Sequence, residues 1–450
     1  MSAGHPRQTL SLLDAVAIIV GLVIGAGIFR LPSIVAGNID SGTLIVSVWF
    51  LGGLISLIGA LCFAELATAY PHPGGEYHYL SRAYGRDCGF MFAWARMSVV
   101  QTGSIALLAY IFGDYASELL PLGEHGVAIY ALGAVVALTA LNVLGVRQTK
   151  AMQNLLFGAT LLGLACVIVA GALVMSPLGP SEAPLPAETG AGGGSGTSAM
   201  GLAMVFVLLA YGGWNEAAYI SAEVKDGPRN MVRALLIGIA LVTVVYVAIN
   251  LIYVQVLGPA GMAQSDAVAR NVMHAAFGPA GSTFITVLIM VVVLASLNVT
   301  ILTGARTNFA LGQDFRMFAF LAHWSARGGA PVRALILQAA VAIGLIGLGA
   351  MQRSGVETMV EYLSPVFWLF FLLTGLALFV LRRREAARTR PFRVPLYPVT
   401  PALFCLTSAY LLYSSLNYTG AGALAGVAVL LLGLPLLFAA RRQPAAAGAD

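Results

Sequence analysis

The stretch Gly21-Leu-Val-Ile-Gly-Ala-Gly-Ile-Phe29 sets three glycines inside an apolar run that extends from Leu12 to about Ala36. A helix crossing a hydrocarbon core about 30 Å thick needs roughly 20 residues, so this run is long enough to span a bilayer. Glycine weakens a helix interior, and three of them at mid-crossing admit two readings. Gly21 and Gly25 fit the small-xxx-small spacing by which membrane helices approach one another. Alternatively, Gly25-Ala26-Gly27 interrupts the helix and exposes amides and carbonyls, which membranes tolerate only where the backbone faces protein or a water-filled cavity. Residues 21–29 alone leave both readings open.

Comparable runs recur along the chain, at 12–36, 42–69, 89–117, 127–146, 151–175, 200–223, 232–257, 282–310, 332–350, 357–381, 396–416 and 420–440. They are longer and more uniformly apolar than the alternating segments of about ten residues found in membrane barrels. Of the 450 residues, 59% are hydrophobic and 10% charged, against about 25% charged in soluble domains, and the mean hydropathy is +0.87. The fold class is therefore an all-α polytopic membrane protein with about twelve transmembrane helices. The first run exceeds the roughly 7–15-residue apolar core of a signal peptide. No segment reads as a separate soluble domain, so residues 1–450 are taken as one membrane domain, and Gly192-Gly-Gly-Ser-Gly196 in the 176–199 connection reads as a flexible loop.

Lysine and arginine are retained in cytoplasmic loops. With the N-terminus inside, twenty of the 24 basic residues fall on the inner side, three (Arg30, Arg270 and Arg353) on the outer side, and Arg96 within a span. Both termini are expected in the cytoplasm, at the cytoplasmic membrane. The net charge of +5 follows from this bias and calls for no nucleic-acid partner. Cys62, Cys88, Cys166 and Cys405 lie singly, without CxxC spacing, and read as small buried residues. The six histidines show no HExxH or similar pattern, so neither a metal site nor a cofactor nor an enzymatic centre is expected.

The sixth run carries a second interruption, Leu209-Ala-Tyr-Gly-Gly-Trp-Asn-Glu216. Paired interruptions at corresponding places in two halves point to a transporter's midplane binding site. The outer half of span 1 would begin near Ala26-Gly27-Ile28, offering free amides and a positive dipole end to an anionic group. Carbonyls near Val23 and Leu209–Gly212 would favour an ammonium. A carboxylate pole and an ammonium pole in one small site suit an α-amino acid.

These stretches, with Phe63–Gly85 (FAELATAYPHPGGEYHYLSRAYG), Leu209–Asn230 (LAYGGWNEAAYISAEVKDGPRN) and Leu302–Asp314 (LTGARTNFALGQD), resemble the amino acid-polyamine-organocation superfamily. The nearest branch is that of the L-type amino-acid transporters and their bacterial homologues, and the likeness covers roughly residues 10–420. It implies a five-plus-five inverted-repeat (LeuT-like) core, 12–175 and 200–381, with broken helices 1 and 6 and two added helices at 396–440, working by alternating access. Carried over, it implies a substrate site formed by Val23, Gly25, Ala26, Gly27, Ile28, Leu209, Tyr211, Gly212, Gly213 and Asn215. Ala26 and Gly27 would donate to the substrate carboxylate; the carbonyls of Val23, Leu209 and Gly212 would accept from its ammonium. Asn215 would tie the unwound backbone or the bound amino acid. Trp214 is equally a packing residue or a ligand contact.

Three departures bear on mechanism. Leu209 stands where many relatives carry an aromatic lid. Thr160 stands where relatives often carry a lysine, and the chain's only lysines are Lys150 and Lys225, so no buried lysine carries a proton. The Thr160 hydroxyl either back-bonds within its helix or joins Ser296, Thr300 and Thr303 in a sodium or water site. Glu216 follows Asn215, where some relatives use glutamate one place earlier, which favours neutral over cationic substrates. Glu65 and Arg96, charged residues inside spans 2 and 3, could form a structural or gating ion pair. Glu223, Lys225, Asp226 and Arg229 read as a solvated loop or as gate salt bridges, and the arginines at 382–393 as a topology and lipid-attraction signal.

The expected function is secondary active transport of L-amino acids, most readily neutral ones, by exchange or by Na+- or H+-coupled symport. A cationic amino acid or polyamine carrier, and a non-transporting amino-acid sensor, stay open as alternatives. The connection 118–126 has no cysteine, so no disulfide-linked heavy subunit is expected, while noncovalent association is left open.

Overall fold

The computed structural model describes residues 11–72, 74–144, 150–175, 197–217, 224–325, 330–352, 354–417 and 421–441. The Gly192–Gly196 loop, Glu223 and the end of the sixth run lie outside these. The described residues are mostly helical: α1 (Leu12–Val23), α2 (Gly27–Asn38), α3 (Gly42–Ala69), α4 (Gly75–Tyr84), α5 (Arg86–Ala95), a π-helical segment (Arg96–Val100), α6 (Gln101–Leu119), α7 (Gly126–Val143), α8 (Lys150–Val174) and α9 (Thr197–Ala210). A 3-10 turn (Trp214–Glu216) leads to α10 (Gly227–Ala263), α11 (Val268–Asp314), α12 (Val332–Ala350), α13 (Gly355–Arg384), α14 (Val399–Asn417), α15 (Ala421–Leu431) and α16 (Gly433–Arg441). Among the described residues, nine helices are long and apolar enough to cross a membrane, and the bent pair α1 and α2 makes a tenth. The fifth and sixth runs contribute shorter apolar helices, Gly158–Val174 and Ala199–Ala210. This is a multi-pass membrane protein.

The helices gather into two compact units, neither contiguous in sequence. The first draws on Met1–Gly89, Ser181–Ser265 and Trp368–Ser414; the second on Phe90–Pro180, Asp266–Phe367 and Ser415–Asp450. In the first unit, α3 and α10 run antiparallel in close contact: a methyl added at Gly42 would strike Val254, and one at Gly53 would strike Thr243, the close approach that small residues permit. In the second unit, buried amides tie the helices together. Asn142 Nδ2 donates to Asn298 Oδ1 at 2.6 Å, Gln101 Nε2 to the Thr300 carbonyl at 2.7 Å, and Gln338 Nε2 to the Ile301 carbonyl at 3.0 Å.

Hydropathy overlooked α4, whose sequence GEYHYLSRAY is polar. Its buried residues Glu76, Tyr79, Leu80 and Ala83 nevertheless fall at helical spacing on one face. Gly85, at φ 96°, ends the helix in a conformation open to glycine. His72 and His78 stack at 4.2 Å, 11° from parallel. Burial first, then the charges of His72 and Arg82, push His78 down to about 4.

The arginines at 382–393 do more than mark topology. Arg384 donates to the Ala83 carbonyl at 2.8 Å and Arg388 to the Ala69 carbonyl at 2.9 Å. Arg82 pairs with Glu385 at 2.7 Å, and that hydrogen-bonded guanidinium holds the Glu385 carboxyl below its ordinary range. The segment is thus a strap across the ends of α3 and α4. Arg30, expected at the outer surface, is instead buried within α2, where it bonds Ser33 at 3.0 Å.

Candidate functional site

The two glycine-bearing interruptions meet inside the first unit. α1 starts at a capping box, Ser11 with Asp14, and stops at Val23; α2 restarts at Gly27 with a bend of 46°. The restart has no capping side chain. Phe29 N–H finds the Ala26 carbonyl at 3.1 Å, whereas Gly27 and Ile28 occupy the first turn, whose amides have no intrahelical acceptor. These donors and the positive helix end favour a negatively charged group.

α9 stops at Ala210 and the chain turns through Tyr211, Gly212 and Gly213. Gly213 adopts φ 109°, and a methyl there would collide with the Leu22 carbonyl, so the turn is seated directly on the last turn of α1. Gly27 packs against Ala210, 3.7 Å from a virtual Cβ to Ala210 Cα. Gly25 is different: nothing lies within 4 Å of where its Cβ would be. Its missing side chain serves neither helix packing nor a left-handed backbone, and leaves room beside the amides.

Tyr246 of α10 joins the two breaks. Fully buried, its hydroxyl reaches the Val23 carbonyl at 2.9 Å and the Ala210 carbonyl at 3.2 Å. Sequence reading missed it, although a tyrosine deep in an apolar run signals a hydroxyl in need of a partner. One lone pair of Val23 is thereby engaged, and the Leu209 carbonyl accepts from Gly212 N–H at 2.9 Å. Each carbonyl retains a second acceptor site.

The aromatic residues of the motif are committed to the protein. Tyr211 donates to the Trp49 carbonyl at 2.9 Å and packs against Tyr246, with ring centroids 5.0 Å apart. Trp214 meets Phe63 edge-on at 5.1 Å and Phe371 at 5.5 Å, which makes it a packing residue. Leu209 is half-buried, and Asn215 is buried with Nδ2 bonded to Glu76 Oε2 at 3.1 Å.

The amino acid permease family matches this sequence over residues 10–434. The chain belongs to that family. Curated relatives of the permease include the b(0,+)-type amino acid transporter 1 of Mus musculus, 32% identical over 410 residues, covering 90% of this chain and 82% of the relative. The human protein of that name is 31% identical over 409 residues, covering 90% and 82%. The Large neutral amino acids transporter small subunit 2 of Mus musculus is 30% identical over 444 residues, covering 96% and 81%.

The permease's remaining candidate residues divide between the units. Thr160 is buried on α8 in the second unit. On α11 of the same unit, Ser296 donates to Val292 at 3.1 Å, Thr300 to Ser296 at 2.8 Å and Thr303 to Val299 at 3.0 Å. These hydroxyl protons serve the helix's own carbonyls, which leaves only oxygen lone pairs for a cation. Arg96 opens the π-helical segment. Glu65 takes partners other than Arg96. Its carboxylate is held by both Arg382 nitrogens, Nε at 2.7 Å, by Arg390 at 3.6 Å and by Val394 N–H at 2.7 Å. A buried carboxylate fixed by two guanidiniums and an amide anchors the strap. Glu216 lies in the 3-10 turn, its N–H on the Gly213 carbonyl at 3.0 Å.

Proposed function

We propose that the permease is a secondary carrier of L-amino acids, neutral ones foremost, working by alternating access in the cytoplasmic membrane with both termini inside. Amino acid transport follows from family membership. The observation that carries the site assignment is the pairing of the two interruptions: the uncapped first turn of α2, the carbonyl ends of α1 and α9, and the open space at Gly25 lie in one unit. The amides suit the substrate carboxylate and the carbonyls its ammonium.

Asn215 is uncharged, and the buried carboxylate beside it, Glu76, bonds the Asn215 amide, which supports a neutral over a cationic substrate. One relative is named for large neutral amino acids. The inverted-repeat organisation, 12–175 with 200–381 followed by the helices of 396–440, is part of the same proposal. It is supported by the way the first unit takes helices from both halves. The same relative is named a small subunit; in this chain a disulfide-linked partner would find no cysteine in the 118–126 connection. Exchange and cation-coupled symport both accord with threonine rather than lysine at position 160.

Uptake of labelled amino acids into proteoliposomes tests this. Uptake only into preloaded vesicles means exchange; uptake into empty vesicles driven by an imposed sodium or proton gradient means symport. Binding without movement of substrate in either format refutes the carrier, and a preference for cationic substrates refutes the neutral assignment. Leu209→Trp is expected to narrow the range of accepted side chains, and an unchanged profile removes Leu209 from the lid.

A further inference from the structure

Glu76 belongs to none of the residues assigned so far to the substrate site, yet it touches that site. It lies in the first turn of α4, 3% exposed, and accepts from Asn215 Nδ2 at 3.1 Å. Asn215 stands just past the interruption between α9 and the 3-10 turn.

The chemistry of this bond sets a direction. An ionised carboxylate only accepts hydrogen bonds, whereas a carboxamide has a donor end and an acceptor end. With Glu76 ionised, the amide nitrogen of Asn215 faces α4, as in the 3.1 Å bond, and its oxygen faces elsewhere; the flipped arrangement would set two acceptors against each other. Glu76 thereby makes Asn215 an oriented acceptor. α4 is itself fixed, with Arg82 on Glu385 at 2.7 Å, the Ala83 carbonyl on Arg384 at 2.8 Å and Tyr84 on the Leu373 carbonyl at 2.9 Å. The carboxylate stands on a rigid base, as a positioning group requires.

We propose that Glu76 is a positioning residue for transport: through its hydrogen bond to Asn215 it holds the carboxamide oxygen toward the substrate ammonium. The proposal rests on the interruptions being the substrate site. Glu76 contacts Asn215, and its effect on the substrate passes through that side chain.

The test is a double-mutant cycle read as the substrate dependence of uptake in proteoliposomes, with E76Q, E76D, N215A and the E76Q/N215A pair. Glutamine keeps the volume of Glu76 but offers a donor as well as an acceptor, which frees Asn215 to turn. E76Q is expected to raise KM about tenfold with Vmax within about twofold. E76D, which keeps the carboxylate, recovers part of the affinity, and E76Q adds nothing to KM in the N215A background. A wild-type KM in E76Q overturns the proposal, as does an equal rise with Asn215 or Ala at 215. If E76Q does not yield folded protein, E76A and the E76A/N215A pair, which also lack the carboxylate, close the same cycle with the same two criteria. Wild-type protein that transports while E76Q is unaffected defeats the Glu76 proposal alone. Wild-type protein that moves no amino acid defeats the carrier reading, and Glu76's role with it.

Discussion

Both units contain irregular backbone, but they treat it in opposite ways. In the second, the Ser98 carbonyl of the π-helical segment Arg96–Val100 is met by the Thr102 hydroxyl at 2.8 Å and the Tyr362 hydroxyl at 2.8 Å. That irregularity is sealed by its own side chains. In the first, Tyr246 closes the carbonyl side of the α1 break while the first amides of α2 have no cap. An orphan donor buried without a partner costs roughly 1–3 kcal/mol. In the proposed site, those open amides are the ones that meet the substrate carboxylate.

The largest effect expected from this contrast separates two glycines with positive φ. Gly213→Ala meets both a left-handed backbone and the Leu22 carbonyl, and should destabilise by at least about 3 kcal/mol and abolish uptake. Gly278→Ala, at φ 62° and ψ −156° on α11 with nothing within 4 Å, meets backbone strain without a collision and should cost less, about 1–3 kcal/mol. Thermal unfolding in detergent measures both, and equal losses would break the comparison.

Next comes Gly25→Ala, which fills open space. Stability should stay within about 0.5 kcal/mol while substrate affinity falls about tenfold or more. A binding isotherm like wild type would return the open space to simple packing slack. Gly27→Val is a blunter probe, because Leu31 and Ala210 already crowd that position.

Tyr246→Phe and Tyr362→Phe remove one buried hydroxyl from each unit, each at a cost of about 1–2 kcal/mol. Transport should suffer in Tyr246→Phe, whose hydroxyl joins the two breaks. In Tyr362→Phe only stability should fall, because Thr102 still serves the Ser98 carbonyl. A KM shift of the same size in both would refute the distinction.

The smallest effect concerns pH. His78 protonates near 4 when folded and near 6.5 in the unfolded chain. Between those values the unfolded state binds the proton more readily, so stability falls as pH drops from 6.5 toward 4 and is unaffected above. The Arg82–Glu385 pair loses its contribution at lower pH still, as Glu385 protonates. Melting temperatures of wild type and His78→Gln across this range check the prediction; a slope that survives the substitution assigns it elsewhere.

Sequence legibility followed the range of the interaction. The breaks at Gly25-Ala26-Gly27 and Tyr211-Gly212-Gly213 could be read because glycine clusters in apolar runs are local signals. Tyr246 could not, since its partners Val23 and Ala210 are distant and nothing beside it marks the bond. Glu76 lay within a recognised motif, but a polar ten-residue helix carries no hydropathy signal. Glu65 was matched with Arg96 because both sit inside apolar runs, whereas its actual partner, Arg382, looked like part of a basic loop.

The Glu65 clamp also has a consequence for how the protein is made. Glu65 and Arg382 are 317 residues apart, so α3 is synthesised and inserted long before its counter-charge leaves the ribosome. A chain halted before Arg382 holds a carboxylate that the finished fold buries, without its partner, a defect worth about 3–5 kcal/mol in a completed core. The first unit therefore closes late in biogenesis, and its clamp reports whether nearly the whole chain has been delivered to the membrane.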